Sequence, residues 1–223
     1  SAAQPIEELT RALDAFQPEV LNGYPSARAM LATEQLEGRL RIAPRAMATS
    51  SEVCTAEMRG RMRAAWNVEP FDMLGLTETG VTAIDCAAHR GLHLFEDHTI
   101  YEVVDERNRP VPPGTQGHKV LVTNLDNYTQ PFIRFEVTDL VTVTEDPCDC
   151  GRTFARITAI DGRSDDILEL PRAAGGTIQV HPIHLRSALA ARAEVARCQF
   201  TQAVAGLDVA LALGSSADPA GVA

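Results

Sequence analysis

Apolar residues in the first ninety positions recur with helical spacing in some stretches and form short continuous runs in others. The first helical stretch lies between Pro5 and Pro18, and its apolar face carries Ile6, Leu9, Leu13 and Phe16. Two further helices are predicted, one that Ser26 caps and one that Thr55 caps. The runs VLNGYPS, RIAPRAMATSSE and VEPFDMLG are typical of strands. This alternation of helix and strand predicts a parallel sheet with helices packed on it.

The pattern changes at Leu92, where apolar and polar residues begin to alternate with a period of two. TIYEVVD, HKVLVTN and FIRFEVTDLVTV are typical of antiparallel strands, and a small barrel is one form they can take. Beyond Arg163 come two short strands, a helix near Pro182 and a last strand, LDVALAL.

These patterns predict an α/β fold built from three parts. Residues 1–91 form a parallel α/β half-sheet, and residues 92–160 form an antiparallel β-rich segment. Residues 161–223 form a hinge and the start of a small α+β C-terminal domain.

Composition excludes several classes of protein. Hydrophobic residues make up 45% of the 223 positions and charged residues 22%, as in soluble globular proteins. The net charge of -10, with Lys119 as the single lysine, argues against nucleic-acid binding. No apolar stretch approaches the ~20 residues that a membrane-spanning helix needs. The start, SAAQPIEELT, does not look like a signal peptide, and the odd number of cysteines favours a reducing, cytoplasmic setting.

GLTETG, at positions 75–80, places polar residues after a predicted strand, where open α/β sheets bind ligands. Thr77 suits phosphate oxygens, and the Glu78 carboxylate suits Mg²⁺. Taken alone, the stretch is more typical of a capped helix start.

Two later stretches offer groups that suit a nucleotide. In PFIRFEVTDL, the two carboxylate oxygens of Asp139 match a ribose diol, although a surface pair of Arg134 and Asp139 is the simpler interpretation. In DGRSDDIL, Arg163 supplies a planar fork for phosphate or ribose oxygens. Ser164-Asp165-Asp166 makes a polar joint before the small domain, although such acidic turns are also ordinary loops.

Cysteine and histidine spacing predicts a structural zinc site. Cys86 and His89 form one pair, Cys148 and Cys150 form the other, and His93 is an alternative to His89. Three thiolates and an imidazole make a closed tetrahedral site. Packed free cysteines are the alternative interpretation.

The order of these motifs resembles the adenylate-forming enzyme superfamily, and in particular its phenylacetate–CoA ligase-like branch. The stretches that carry the resemblance are QPEVLNGYPS, APRAMATSSEVCTAEMR, GLHLFEDHTIYEVVDE and QPFIRFEVTDL. The resemblance extends from about residue 5 to about residue 190.

The resemblance implies a role for each matching residue. Ser50, Ser51 and Glu52 would line the adenine and acyl pocket, and Gly75, Thr77 and Glu78 would contact the nucleotide and Mg²⁺. Asp139 would bind the ribose hydroxyls, Arg163 would bind ribose or phosphate, and Asp165 would be the hinge of the small domain. Thr77, Glu78 and Asp165 are the residues expected to act in catalysis.

The resemblance also implies a reaction and its ligands. The reaction is ATP-dependent activation of a carboxylic acid, by default an aryl or arylacetic acid, followed by thioester formation with coenzyme A. Residues 1–160 would be part of a large adenylation domain, and a homodimer is left open. The expected ligands are ATP/AMP, Mg²⁺, coenzyme A, structural Zn²⁺ and the acid, with no nucleic acid and no membrane as partners.

Two departures from the branch matter. The Ser/Thr/Gly-rich phosphate loop and the lysine expected near the end of the small domain are both missing. We therefore expect a chain that is truncated at both ends and inactive by itself. The alternative is a non-catalytic, zinc-stabilised binding module derived from the same fold.

Overall fold

The structure is a computed structural model. It describes residues 4–172, 175–190, 195–203 and 206–213. The helices are α1 (Ile6–Phe16), α2 (Pro25–Leu36), α3 (Ala56–Trp66) and α4 (Pro182–Ala190). The first seven strands are β1 (Val20–Gly23), β2 (Ala46–Ser50), β3 (Phe71–Leu76), β4 (Gly80–Ile84), β5 (Leu92–Leu94), β6 (Thr99–Val104) and β7 (Lys119–Asn124). The others are β8 (Phe135–Val137), β9 (Asp139–Thr144), β10 (Arg156–Arg163), β11 (Leu168–Pro171), β12 (Thr177–Val180), β13 (Val195–Ala203) and β14 (Gly206–Leu213).

The predicted α/β fold is confirmed, and its parallel part consists of three strands. β1 pairs with β2 and β2 pairs with β3, both in parallel. Leu21 and Met47 are paired across β1 and β2, and both side chains are buried against the helices. The core around them contains Leu21, Leu31, Ala32, Leu40, Ile42, Met47 and Met62.

The ends of α3 follow the sequence signals, whereas the start of α2 does not. Thr55 accepts a hydrogen bond from the backbone N–H of Met58 and so caps α3, as predicted. α2 begins at Pro25 and has Tyr24 as its N-cap, with no side-chain cap, so the expectation that Ser26 caps it is corrected. Proline has no N–H to satisfy and has a helical φ, so it can begin the helix without a capping side chain.

The antiparallel strands are divided between two sheets. The larger sheet has the order β1-β2-β3-β4-β5-β10-β9, and a second sheet has the order β6-β7-β8. The smaller sheet thus makes no barrel with the others. Val120, Val122 and Val137 of the smaller sheet belong to the same buried cluster as Leu92 and Ile157 of the larger one. Lys119, the single lysine, forms an ion pair with Glu136 of the neighbouring strand at 2.7 Å.

Two compact units divide the chain. One comprises Ser1–Val137 and Val141–Ile160, and the other comprises Thr138–Leu140 and Asp161–Ala223. In the second unit, β11 pairs with β12 and β13 pairs with β14, both antiparallel. Among the described residues, no helix is long and apolar enough to cross a membrane.

Two glycines provide a matched test of the packing between β5 and β10. Gly91 has φ +110°, and an added Cβ there would lie 2.4 Å from the carbonyl oxygen of Ile157, whereas an added Cβ at Gly60, inside α3, meets nothing within 4 Å. We expect Gly91→Ala to destabilise the protein by about 1–3 kcal/mol through backbone strain and this clash. Gly60→Ala should stabilise it by up to about 1 kcal/mol, because alanine favours helix. Urea unfolding measures both changes, and equal stabilities would contradict the close approach at Gly91.

Candidate functional site

The carboxyl ends of the parallel strands lie at one edge of the larger sheet. β1 ends at Gly23, β2 ends at Ser50 and β3 ends at Leu76. Because the three strands run in the same direction, the loops that follow them emerge on the same side of the sheet, and β3 extends three residues beyond Met73, the partner of Ser50. Ligands of open α/β sheets bind at such an edge.

The loop after β2 brings Ser50, Ser51 and Glu52 to this edge. Ser50 is half-buried, and the next two residues are exposed. Ser51 has φ +68°, a left-handed conformation that turns the chain sharply away from the strand. The Glu52 carboxylate accepts a hydrogen bond from the backbone N–H of Ser26 at 3.2 Å, so it lies beside the first turn of α2.

The loop after β3 is a tight hairpin turn rather than the start of a helix. Thr77 to Thr79 connect β3 to the antiparallel β4, and Gly80 takes φ +73°. A Cβ at Gly75 would lie 3.3 Å from the carbonyl oxygen of Gly80, so the two strands approach closely here. The interpretation of GLTETG as a capped helix start is therefore corrected.

Two side chains of this turn lack partners, and one of them is buried. Within the described part of the chain, no hydrogen bond or ion pair involves the half-buried carboxylate of Glu78. The hydroxyl of Thr79 is buried and has no hydrogen-bond partner there either. A carboxylate without a protein partner suits a hydrated cation. Sequence reasoning missed Thr79, because the burial of its hydroxyl depends on the hairpin.

In the second unit, Asp139, Arg163 and Asp165 are brought together around Thr138. The Thr138 hydroxyl accepts a hydrogen bond from Arg163 Nε at 2.9 Å and donates one to Asp165 Oδ1 at 2.8 Å. The Thr138 carbonyl accepts from the Ser164 N–H at 2.8 Å. Thr138 was not predicted as a site residue, because its role depends on the position of β9 beside the 164–166 turn.

The charges of this cluster act on Asp139. Arg163 Nε lies 3.8 Å from Asp139 Oδ1 and 3.3 Å from Asp165 Oδ1. Burial raises the pKa of Asp139, Arg163 opposes that shift, and the carboxylates of Asp165 and Asp166 add to it. Arg134 instead pairs with Glu102 at 3.1 Å, so the interpretation of Arg134 and Asp139 as a surface pair is corrected. Asp139 therefore interacts with Arg163 and not with Arg134.

Four potential metal ligands converge at the end of β5. The ligand atoms of Cys86, His93, Cys148 and Cys150 all lie within 4.8 Å of one another. The sulfur atoms of Cys86 and Cys148 are 3.8 Å apart, and Cys150 Sγ is 3.3 Å from His93 Nε2. A tetrahedral zinc ion with Zn–S bonds of about 2.3 Å separates two thiolates by about 3.8 Å. The donor set and its spacing therefore fit zinc.

The histidine of this cluster is His93, which replaces His89 in the predicted ligand set. His89 ends the turn that follows Cys86, with φ +48°, and its N–H donates to the Cys86 carbonyl at 2.9 Å. Its ring pairs instead with Asp85 through Nδ1 at 2.6 Å. His93 is buried, and its Nδ1 lies 3.2 Å from the carbonyl oxygen of Phe154. A hydrogen bond there fixes the tautomer that leaves Nε2 free for a metal.

The thiols of the cluster differ in acidity. The backbone N–H of Cys150 lowers the pKa of Cys148 to about 6, and hydrogen bonds with His93, Cys150 and Cys86 act in the same direction. Burial raises the pKa of Cys86. The thiolate is the metal-binding form of cysteine, so the lowered pKa makes the Cys148 thiolate available at neutral pH.

Comparisons with known proteins found sequence relatives of this chain. No family model matches the chain. Phenylacetate–coenzyme A ligase of Thermus thermophilus is 31% identical over 189 residues, which cover 81% of this chain and 41% of the relative. The Escherichia coli enzyme of that name is 31% identical over 163 residues, which cover 69% of this chain and 36% of the relative. The chain thus spans about two fifths of the length of these curated relatives.

Solved structures with the same fold are also CoA ligases. A 2-hydroxyisobutyryl-CoA ligase in complex with 2-HIB-AMP has a TM-score of 0.80 at 25% identity, covering 94% of this chain and 46% of that one. An anthranilate CoA ligase in complex with anthranoyl-AMP has a TM-score of 0.68 at 18% identity, covering 95% of this chain and 42% of that one. The second likeness concerns the fold alone.

The metal cluster gives a test with a matched control. Metal analysis of the purified protein should find about one zinc per chain. Cys148→Ser and His93→Gln should lose the zinc and lower the melting temperature, because metal binding stabilises the folded state. His89→Gln removes the neighbouring imidazole and should keep the zinc. Full zinc content in His93→Gln would contradict the ligand set.

The Thr138 hydrogen bonds can be tested with two variants of similar size. Thr138→Val keeps the shape and removes the hydroxyl, whereas Thr138→Ser keeps the hydroxyl and removes the methyl group. We expect Thr138→Val to accelerate amide hydrogen exchange at 164–166 by about fivefold, the effect of losing roughly one hydrogen bond. Thr138→Ser should exchange like the original protein. Faster exchange in both variants would show that packing, rather than the hydroxyl, holds the turn.

Proposed function

Because the chain belongs to the adenylate-forming enzyme superfamily, in its phenylacetate–CoA ligase-like branch, we propose that it acts in ATP-dependent activation of a carboxylic acid. The acid and ATP give an acyl-adenylate and pyrophosphate, and the acyl group then passes to the thiol of coenzyme A. A cytoplasmic location is part of this proposal, and the five cysteines, all of them free thiols, support it.

The observation that carries the proposal is the convergence of two sequence-distant loops at one sheet edge. Ser50, Ser51 and Glu52 follow β2, and Thr77 and Glu78 follow β3, which pairs with β2 in parallel. The first group lines the adenine and acyl pocket. The second contacts the phosphates, and the unpaired Glu78 carboxylate holds Mg²⁺. Gly75 lets β3 and β4 approach closely beside this turn, because an added Cβ would meet the Gly80 carbonyl oxygen.

The second unit supplies groups for the ribose and for the change between half-reactions. Asp139 accepts hydrogen bonds from the ribose hydroxyls, and Arg163 binds ribose or phosphate oxygens. Asp165 is the hinge residue, and the bond that it accepts from the Thr138 hydroxyl breaks when the hinge turns. Asp165 is exposed, so such a change meets little packing.

The protein needs no nucleophile of its own for the first half-reaction. The substrate carboxylate attacks the α-phosphorus, and pyrophosphate leaves. The protein stabilises the charge that develops on the phosphoryl oxygens, and Mg²⁺ held by Glu78 would add positive charge there. Zinc held by Cys86, His93, Cys148 and Cys150 would have a structural role, because four protein ligands would leave no open position for water.

An aryl or arylacetic acid is the substrate that the resemblance favours. The relatives are named for phenylacetate, 2-hydroxyisobutyrate and anthranilate, so the acid differs within this fold. No specific observation in the described residues favours the alternative of a non-catalytic zinc-stabilised module.

Binding of a hydrolysis-resistant acyl-adenylate analogue tests this proposal. Phenylacetyl sulfamoyl adenosine should bind the chain in calorimetry, and Asp139→Asn should weaken its affinity by about tenfold through loss of charge-assisted hydrogen bonds to ribose. Affinity should also fall with decreasing pH, because protonation removes the acceptor. Since the pKa of Asp139 is raised, this loss begins at a higher pH than for an ordinary aspartate. Asp208→Asn, on the exposed surface of β14, is the control. Absence of binding would contradict the proposed function.

A further inference from the structure

Arg156 is a buried arginine at the start of β10, beside the candidate metal ligands. In the antiparallel pairing of β5 with β10, Arg156 lies directly opposite His93. Directly opposed residues of antiparallel strands project from the same face of the sheet, with their Cβ atoms about 5 Å apart. The side chain of Arg156 therefore extends on the same face as the imidazole ligand.

The guanidinium of Arg156 joins the two loops that carry the metal ligands. Its Nη1 donates to the backbone carbonyl of Arg90, and its Nη2 donates to the backbone carbonyl of Asp146 at 3.1 Å. Arg90 lies in the loop that leads to His93, and Asp146 comes just before Cys148. One side chain thus holds a point of each loop.

The charge of Arg156 has no carboxylate partner in the described part of the chain. Arg156 is only 6% exposed, and its hydrogen bonds there go to backbone carbonyls. Its Nε is buried and makes no hydrogen bond. Arg59, by contrast, pairs with Glu69 at 2.9 Å and also with Asp72. A buried cation without an anion is costly, so the charge of Arg156 calls for a negative group that these residues do not supply.

We propose that Arg156 is a positioning residue of the zinc centre, which holds the two ligand loops in place before the metal binds and balances the charge of the occupied site. A zinc ion with three thiolates and a neutral imidazole carries one net negative charge. In a buried site the attraction between that charge and a guanidinium is stronger than in water. This inference rests on the proposed zinc site and is independent of the ligase reaction.

An exposed link between the same two loops provides a matched comparison. The Arg90 guanidinium pairs with the Asp149 carboxylate at 3.1 Å, and both side chains are 66% exposed. Exposed ion pairs contribute little, because water screens the charges and ordering the side chains costs entropy. The two arginines connect the same loops, so burial is the property that distinguishes Arg156 from Arg90.

Zinc affinity of the full chain, measured by competition with a chelator of known affinity, tests the inference. We expect Arg156→Met to weaken zinc binding by about 10–100-fold, the effect that loss of supporting contacts commonly has at metal sites. Arg156→Lys keeps the charge but lacks the planar fork that reaches both carbonyls, and its loss should be intermediate. Arg90→Gln, the control, should bind zinc within about twofold of the original protein.

Unfolding with and without zinc separates positioning from packing. A residue that only packs lowers the stability of the zinc-free and zinc-bound protein equally. A positioning residue also reduces the stabilisation that zinc adds, because this increment depends on the ratio of zinc concentration to Kd. Arg59→Met removes another arginine that binds a backbone carbonyl, and it should lower both stabilities equally. If Arg156→Met does not fold without zinc, Arg156→Lys provides the same comparison.

Three results would overturn the inference, and they are distinguishable. Unchanged zinc affinity in Arg156→Met, with lower stability in both states, would mean that the arginine only packs. Equal losses of zinc affinity in Arg156→Met and Arg90→Gln would mean that the buried position has no special role. Absence of zinc from the unaltered protein would overturn the zinc site together with the inference, whereas the proposed ligase function would stand.

Discussion

The parallel pairing of β1, β2 and β3 is the constraint on which the candidate site depends. Parallel strands end on the same side of a sheet, so three loops separated by helices must emerge side by side. Buried polar contacts keep this arrangement in register. Arg59 of α3 binds Glu69, the Pro70 carbonyl and Asp72, and so fixes the helix against the start of β3. Thr49 of β2 donates to the other oxygen of the Asp72 carboxylate and links the two central strands. The functional loops can therefore carry unpaired groups, because the strands beneath them are held independently.

The two candidate centres differ in how their polar groups are satisfied. In the metal cluster, each thiol or imidazole has close partners within the chain, which suits a site that remains closed. At the sheet edge, the Glu78 carboxylate lacks a partner in the described residues, which suits a site that exchanges ligands. Unsatisfied groups lower the stability of the unliganded protein, and the ligand offsets that cost only while it is bound. The zinc cluster would supply part of the stability on which such an edge relies.

Local sequence signals predicted the elements well and the contacts between elements less well. α1 and α3 could be predicted because their apolar spacing and their ends are properties of neighbouring residues. The choice between His89 and His93 could not, because it depends on the turn that directs His89 to Asp85. The same limit explains why Thr138 was missed. Its role arises from a residue 25 positions away.

The arrangement of the metal ligands also bears on how proteins of this shape can diverge. His93 and Cys150 are 57 positions apart, yet their side chains are 3.3 Å apart. The chain between them, which includes β6, β7 and β8, therefore leaves and returns at nearly one point. A segment with fixed ends can gain or lose residues in its outer loops without displacing the strands on either side. Val120 and Val122 limit such changes in length to the loops, because their burial anchors this segment in the core. Evolution can thus lengthen or recombine this segment as a module while the loops that follow β2 and β3 keep their positions.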